Sequence, residues 1–265
     1  MSLNQLTRAI APKPPRILIH GVSGVGKTTF ASEANQPVFV QTEDGLGTLA
    51  ANHFPLARSF EEVIDALAAL YTEPHDFKTV VIDSVDWLEP QVWGKACRDN
   101  GWASIEEPGY GRGYVAALNL WRQYIDGLNA LRDDRGMTVV QIAHTDIKRF
   151  DSPEHDPYDR YVIKLHTRAA ALLQEHSDVV LFANYRISTV KADVGFNKKV
   201  NRAMGSGERV IHTAERPAFL AKNRYGLPET LSLDWQTFAQ AMPDSIQSML
   251  AAPQSVTATT TQTPT

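Results

Sequence analysis

The sequence has few of the features that mark secreted or membrane proteins. Its 265 residues contain a single cysteine, Cys97, which excludes an intramolecular disulfide framework and favours a reducing compartment. No apolar run approaches the roughly 20 residues that a membrane-spanning helix needs. The first residues also contain no apolar segment of signal-peptide length. We therefore expect a cytoplasmic protein with no membrane partner.

Strong charge of either sign is also lacking, because the formal net charge is −4. This balance argues against a surface coated with basic residues for nucleic acid, although it permits a local polyanion site. Apolar residues make up 43% of the chain, which is enough for the core of one large α/β domain.

The most informative stretch is 21–28, Gly-Val-Ser-Gly-Val-Gly-Lys-Thr, which matches the phosphate-loop pattern G-x-x-x-x-G-K-[ST]. A strand-like apolar run precedes it, and a run that can continue as a helix follows. In such a loop, backbone N–H groups and the helix N-terminus surround a phosphate. The residues predicted to contact the nucleotide are Gly21, Val22, Ser23, Gly24, Val25, Gly26, Lys27, Thr28 and Thr29. Lys27 is expected to reach the β- and γ-phosphates of ATP, and the Thr28 hydroxyl to bind Mg²⁺.

Asp83 ends the continuous apolar run Thr-Val-Val-Ile-Asp and is predicted to be a second ligand of Mg²⁺, usually acting through water. The alternative is an aspartate that caps the following helix. Ser84 comes next, so no glutamate adjoins Asp83 to activate water. Glu43 is the candidate catalytic base, because it follows a second predicted strand and ligands bind at that edge of an open α/β sheet. Asp44 is its rival.

The order of phosphate loop, Val-Gln-Thr-Glu43 and Val-Val-Ile-Asp83-Ser84 resembles the RecA-like ATPase core. The resemblance implies a γ-phosphate sensor at His144, where RecA has a glutamine. It also implies that Lys222 and Arg224 insert into the nucleotide site of a neighbouring subunit, which requires head-to-tail self-association.

The chain resembles, more closely, the phage-borne, single-domain RecA-like ATP-binding proteins. The stretches that carry this resemblance are Gly-Tyr-Gly-Arg-Gly-Tyr (109–114), Ala-His-Thr (143–145), Asp-Pro-Tyr-Asp-Arg-Tyr (156–161) and Leu-Phe-Ala-Asn-Tyr (181–185). Some relatives anneal single-stranded DNA in phage recombination beside a single-strand-binding protein, and many are known only as ATP-binding proteins. The resemblance therefore implies location in the host cytoplasm, with single-stranded DNA and a single-strand-binding protein as candidate partners.

Alternating strand-like and helix-like segments predict an α/β fold with a mainly parallel sheet, helices on both faces and a C-terminal β-hairpin region. The hairpin is expected within 186–216, around a Gly/Lys loop near 198–207. The predicted divisions are a lead-in (1–13), a RecA-like ATPase domain (14–235), a C-terminal helix (236–251) and a disordered tail (252–265).

Two segments, 99–114 and 145–165, are predicted to be irregular loops at the places where the RecA-like core holds single-stranded DNA. Basic residues interleaved with aromatic residues suit such a site. The candidate DNA contacts are Arg112, Lys148, Arg149, Tyr158, Arg160 and Tyr161. Acidic residues in the second loop favour an alternative, in which its tyrosines dock on the core and Arg160 pairs with Asp156 or Asp159.

These features together predict a Mg²⁺-dependent, RecA-like ATPase that acts on single-stranded DNA in recombination, annealing or replication. Two alternatives stay open. One is a phosphate-loop kinase of small molecules or nucleotides, with a lid supplied by Arg202, Arg209 and Arg216. The other is a nucleotide-gated loader of a partner replication protein, with little turnover.

Overall fold

The computed structural model describes residues 12–153, 156–193 and 199–251. The strands in this part of the chain are β1 (Arg16–Gly21), β2 (Pro37–Gln41), β3 (Asn52–His53), β4 (Thr79–Asp83), β5 (Thr138–Phe150), β6 (Tyr158–Ile163), β7 (Val179–Asp193), β8 (Lys199–His212), β9 (Lys222–Asn223) and β10 (Thr230–Ser232). The helices are α1 (Lys27–Ser32), α2 (Phe60–Thr72), α3 (Val85–Asn100), α4 (Arg112–Asp134), α5 (Thr167–His176), α6 (Trp235–Ala241) and α7 (Asp244–Leu250). The predicted tail and all but the last two residues of the predicted lead-in lie outside the described residues.

The strands form one sheet in the order β10-β8-β7-β1-β5-β4-β2-β3, with β6 paired to β5 and β9 to β7. Every pair from β7 to β3 along this order is parallel. The strands β6, β8, β9 and β10 pair with their neighbours in antiparallel fashion. Between Thr79 and Asp83, strand β4 is apolar, as expected for a strand with both faces buried. The predicted α/β fold with a mainly parallel sheet is confirmed.

Helices cover both faces of this sheet, as predicted. One apolar cluster packs Leu18 against residues of α2, α3, α4 and α5. The other packs Ile17 and Ile19 against Phe30 of α1 and Phe238 of α6. Alternate residues of β1 therefore face opposite helical layers, as the two-residue repeat of a strand requires. None of the helices in the described ranges is both long and apolar enough to cross a membrane.

The prediction of an irregular loop over 145–165 is wrong. Strand β5 continues to Phe150 and forms an antiparallel hairpin with β6, in a register that places Phe150 opposite Tyr158. β-Branched and aromatic residues occur along both strands and favour this pairing. The polar character of this segment and its two prolines led to the prediction of a loop.

Two other segments differ from expectation. The predicted C-terminal hairpin is formed by β7 and β8, but β8 already begins at Lys199, so most of the loop expected near 198–207 is strand. The single helix predicted for 236–251 is instead two helices, α6 and α7. Helix α6 ends before Pro243 because proline lacks the N–H that a continuing helix requires.

Candidate nucleotide site

The phosphate loop, residues 21–28, joins the carboxyl end of β1 to the first turn of α1. Gly24 and Gly26 have φ angles of 73° and 107°, a region that glycine adopts far more readily than other residues. A Cβ at Gly21 would lie 2.2 Å from the carbonyl oxygen of Ala183 in β7. Backbone conformation and close packing therefore both require glycine in this loop, and its last glycine caps α1.

Lys27 lies near the end of the phosphate loop, and its side chain contacts the start of the same loop. Its Nζ donates hydrogen bonds to the carbonyl oxygens of Gly21 at 3.0 Å and Val22 at 3.1 Å. Burial lowers the pKa of Lys27, and the carboxylates of Asp83 and two neighbouring acidic residues act in the opposite direction. The ammonium group is thus close to the backbone cradle in which a phosphate would bind.

Thr28 and Asp83 bring two side-chain oxygen atoms together at the start of α1 and the end of β4. The Thr28 hydroxyl donates to Oδ2 of Asp83 at 2.8 Å. Burial raises the pKa of Asp83 to about 6, the Thr28 hydrogen bond lowers it, and the Glu43 carboxylate adds to the increase. Hydroxyl and carboxylate oxygens are the ligand types that Mg²⁺ takes, so this donor set fits the predicted metal.

The strand order brings the other predicted residues to the same edge. Strand β5 lies between β1 and β4, and β2 lies beyond β4. His144 is paired in register with Gly21, at the start of the phosphate loop. Glu43 follows β2, and its backbone N–H approaches the carbonyl oxygen of Asp83 at 3.4 Å. The residues predicted to bind metal, activate water and sense phosphate are therefore neighbours, although their roles stay predictions.

Asp86 is the residue of this site that the sequence did not reveal. Its Oδ1 accepts the backbone N–H of His144 at 2.9 Å, and its Oδ2 lies 3.0 Å from the ring Nδ1. The same ring nitrogen is 3.9 Å from Oε1 of Glu43. The hydrogen bond to Asp86 raises the pKa of His144. Burial alone would raise the pKa of Asp86, but its bonds to His144 hold that pKa below the ordinary value.

The β7–β8 hairpin also reaches the phosphate loop. A Cβ at Gly26 would lie 2.7 Å from NH1 of Arg209, so that guanidinium borders the N-terminus of α1. Tyr185, paired with Arg209 across the hairpin, donates through its hydroxyl to the Gly24 carbonyl oxygen at 3.4 Å. Of the three arginines assigned to a possible lid, only Arg209 is placed at this loop. Arg216 instead pairs with Glu229, and the side chain of Arg202 lies outside the described part of the structure.

Lys222 and Arg224 lie at the opposite end of the sheet. Strand β9 pairs with the first residues of β7, beside the start of β1. The Nζ of Lys222 donates to three backbone carbonyl oxygens at the end of α5, at 2.8, 3.0 and 2.7 Å: Gln174, Glu175 and Ser177. Arg224 pairs with Asp178 at 3.3 Å, and about half of its side chain is exposed. Lys222 is thus fully engaged within its own chain, whereas Arg224 remains accessible.

The candidate DNA contacts divide into an inner and an outer group. Arg160 is only 8% exposed, and it pairs with Glu215 rather than with Asp156 or Asp159. Tyr161 stacks on Phe182 with 5.1 Å between ring centroids. Tyr161 and Arg160 therefore dock on the core as in the alternative, but the ion pair that the alternative named for Arg160 is wrong.

The outer group consists of Arg112, Lys148 and Arg149, which are all exposed. Arg112 begins α4 and donates to the carbonyl oxygen of Pro108 at 2.8 Å. Lys148 approaches the carbonyl oxygen of Leu165 at 3.4 Å. Tyr110, two residues before Arg112, is fully exposed, whereas Tyr158 of the hairpin lies 5.5 Å from Phe150 between ring centroids. A surface that binds single-stranded DNA would therefore use fewer side chains than the sequence predicted.

Comparisons with family models, solved structures and curated proteins each show similarities. Residues 13–225 match the model of a family described as AAA domain. The solved structure titled "Crystal structure of the RadB recombinase" is similar with a TM-score of 0.41 and 18% identity, covering 79% of this chain and 86% of that one. A mouse protein, membrane-associated guanylate kinase, WW and PDZ domain-containing protein 3, is 29% identical over 106 residues. That match covers 36% of this chain and spans only 7% of the curated relative's length.

Proposed function

The chain belongs to the AAA domain family, and from that premise we propose that it binds ATP with Mg²⁺ and hydrolyses the γ-phosphate. One observation carries the proposal. The phosphate loop, the Thr28–Asp83 oxygen pair, Glu43 and His144 come from separate segments and meet at the carboxyl edge of the parallel strands. Ligands of open α/β sheets bind at this edge.

Both backbone groups and side chains hold the triphosphate. Backbone N–H groups of the loop and the N-terminus of α1 face the phosphates. Lys27 leaves the carbonyl oxygens of Gly21 and Val22 for the β- and γ-phosphates, where its charge is better compensated. Arg209 supplies a second cation from the hairpin, beside Gly26.

Thr28 and Asp83 would hold Mg²⁺, which neutralises charge on the β- and γ-phosphates when it is bound. Glu43 orients the attacking water and accepts its proton, since its carboxylate is close to the metal pair yet is not itself part of it. His144 donates a hydrogen bond to an oxygen of the γ-phosphate. The groups that act on water and on the phosphate thus lie on the same side of the loop as β4 and β5.

We further propose that the ATPase works on single-stranded DNA in phage recombination, annealing or replication, in the cytoplasm of the host. The resemblance to phage ATP-binding proteins supports this assignment, together with the outer group of Arg112, Lys148 and Arg149. Head-to-tail self-association is supported by the position of Arg224. It is exposed at the end of the sheet opposite the phosphate loop, so one subunit's Arg224 can face the next subunit's nucleotide.

Phosphate release from ATP tests the proposal directly. We expect wild-type protein to hydrolyse ATP in the presence of Mg²⁺, to lose this activity in EDTA and to be stimulated by single-stranded DNA. The Lys27→Ala variant should bind ATP about 100-fold more weakly, because two charge-assisted hydrogen bonds are removed. ATP binding without hydrolysis under all of these conditions would favour the nucleotide-gated loader. Hydrolysis that single-stranded DNA leaves unchanged would remove the DNA part alone.

A further inference from the structure

Asp86 holds His144 at two points. It accepts a hydrogen bond from the backbone N–H of His144 at 2.9 Å and another from the ring Nδ1 at 3.0 Å. The Asp86 side chain is 3% exposed and lies in the first turn of α3, directly after the strand that ends at Asp83. A buried carboxylate that bridges backbone and ring fixes both the position and the rotation of the imidazole.

The contact also assigns the two ring nitrogens. An ionised carboxylate can only accept hydrogen bonds, so Nδ1 carries a proton and donates a hydrogen bond to Asp86. The other ring nitrogen, Nε2, is then the one available to a ligand. His144 is in register with Gly21 at the mouth of the phosphate loop, so Nε2 is the ring atom that can reach a phosphate there.

We propose that Asp86 is a positioning residue for ATP hydrolysis, which orients the His144 ring so that Nε2–H donates to the γ-phosphate. The inference rests on the proposed ATPase function and deepens it. It also gives His144 and Glu43 different roles. Because Asp86 engages Nδ1 at 3.0 Å, the Glu43 carboxylate at 3.9 Å stays available to the attacking water.

The surroundings of the ring raise the pKa of His144 on balance. The charged groups near His144 are Asp86, Glu43, Lys27 and Asp83. The hydrogen bond to Asp86 is the largest influence and raises the pKa of His144, burial and Lys27 lower it, and Glu43 raises it further. Because Nδ1 already carries the proton that faces Asp86, Nε2 can donate to phosphate only when the ring is protonated, and a charged donor forms the stronger hydrogen bond.

A purely structural role for Asp86 is the competing explanation, because an acidic residue in the first turn stabilises a helix. Glu89 is a matched control. It lies one turn later in α3, is 7% exposed, and accepts the backbone N–H of His166 with both oxygens at 3.0 Å. Asp86→Asn and Glu89→Gln each remove one buried carboxylate from the same helix, but only the first contacts His144.

Nitrogen-15 NMR of the imidazole tests the pairing without any need for turnover. In the wild-type protein we expect His144 to titrate above an ordinary histidine and to keep its proton on Nδ1 when neutral. Asp86→Asn should lower the pKa of His144 towards that of an ordinary histidine, because the carboxylate that stabilises the charged ring is removed. Glu89→Gln should leave that pKa unchanged. A wild-type ring that is unprotonated at Nδ1 when neutral, or the same pKa in both variants, would overturn the proposal.

Kinetics then connect the pairing to the reaction. Asp86→Asn should reduce kcat by about 10- to 100-fold while changing the Kd for ATP less than about twofold. In a His144→Gln background the same substitution should have no further effect, because Asp86 acts through that ring. Additive losses would overturn the proposal.

If the wild-type protein has no ATPase activity but the NMR results hold, the proposed function fails and the pairing stands. If Asp86→Asn does not fold, the wild-type NMR spectrum and His144→Gln kinetics still decide.

Discussion

The hydroxyl of Thr28 donates to Oδ2 of Asp83 at 2.8 Å, which joins the first turn of α1 to the end of β4. The two residues are 55 positions apart in the chain. Neither oxygen is exposed on a flexible loop, because one belongs to a helix and the other to a central strand. Two oxygens held this close by regular elements would offer a hard cation a preorganised pair of ligands, as the proposed Mg²⁺ site requires.

Replacement of the Thr28 hydroxyl should abolish the effect of Mg²⁺ on catalysis. We expect Thr28→Ala to reduce hydrolysis by roughly 100-fold or more, since a ligand of the metal that neutralises the phosphates is removed. Thr28→Ser keeps the oxygen and should stay within about fivefold of wild type. Rates measured across a Mg²⁺ titration check the prediction, and equal rates for the two variants would contradict it.

Glu43→Gln should separate ATP binding from hydrolysis. Glutamine keeps the size of the side chain but cannot accept a proton from water, so we expect kcat to fall by about 100-fold or more with the Kd for ATP nearly unchanged. Asp44→Asn is the matched control, because Asp44 is adjacent in sequence and its side chain is exposed. If Asp44→Asn lost activity and Glu43→Gln kept it, the base would be Asp44.

The sequence was sufficient for the parts of the site that depend on local patterns. The phosphate-loop motif located Gly21 to Thr28, and buried parallel strands are visible as continuous apolar runs. The rule that ligands bind at the carboxyl ends of such strands placed Glu43 and Asp83 at one edge. The parallel order β7-β1-β5-β4-β2 agrees with that expectation.

The contacts between distant segments could not be predicted in this way. Asp86 lies 58 positions from His144, and only the three-dimensional fold brings the two together. The acceptors of Lys222 are backbone carbonyl oxygens, which every residue carries and which therefore leave no signal in a sequence. The pairing of β5 with β6 depends on register between two strands rather than on the composition of either one.

Lys222 and Arg224 should respond differently to substitution. Lys222→Met removes a cation that caps the C-terminal carbonyl groups of α5, so we expect a loss of about 1–3 kcal/mol in the free energy of unfolding. Arg224→Gln removes a half-exposed ion pair and should cost less than about 1 kcal/mol. Urea unfolding measures both values.

Arg224 should instead affect activity that depends on assembly. If it acts on the neighbouring subunit's nucleotide, the ATPase rate per subunit rises with protein concentration in the wild type but not in Arg224→Gln. A variant with full concentration-dependent activity would exclude the trans finger at Arg224. If Lys222→Met were stable but its ATPase rate per subunit did not rise with protein concentration, the finger would be assigned to Lys222.

The outer basic residues should control DNA binding without affecting stability. The side chain of Arg149 is 69% exposed, so its removal leaves no buried partner. We expect Arg112→Ala and Arg149→Ala each to weaken binding to oligothymidine and to reduce the salt slope by about 0.7. Fluorescence anisotropy at several salt concentrations measures this slope.

Arg160→Ala should lower the unfolding temperature instead, because its guanidinium is buried against Glu215. If a stably folded Arg160→Ala variant lost DNA binding, Arg160 would be a DNA contact and its assignment to stability would be wrong.

His20 should make the folded state sensitive to acid. The ring is fully buried, with Nε2 2.8 Å from the carbonyl oxygen of Leu220 and Nδ1 3.0 Å from the hydroxyl of Thr145. The carbonyl can only accept, so Nε2–H donates to it and a neutral Nδ1 accepts from Thr145. Burial lowers the pKa of His20 to about 4, and the Leu220 hydrogen bond offsets only part of that decrease.

The sign of the pH effect follows from these two states. Below about pH 6.5 the unfolded chain binds a proton at His20, whereas the folded chain does not until about pH 4. The contribution of His20 to stability is therefore complete above pH 6.5 and is lost as the pH falls towards 4, by about 3 kcal/mol in total.

Asp83 and Glu89, with pKa values raised to about 6 and about 7, act in the opposite direction over the same range. The comparison must therefore be made between wild type and His20→Gln, in which only this titration is removed. Urea unfolding from pH 7 to pH 4 should show the stability difference between them shrinking as the pH falls, and parallel curves would show that the buried ring does not resist protonation. Because His20 directly precedes the phosphate loop and contacts both Thr145 and Leu220, the same acid range should loosen the attachment of the loop to the β5–β6 hairpin.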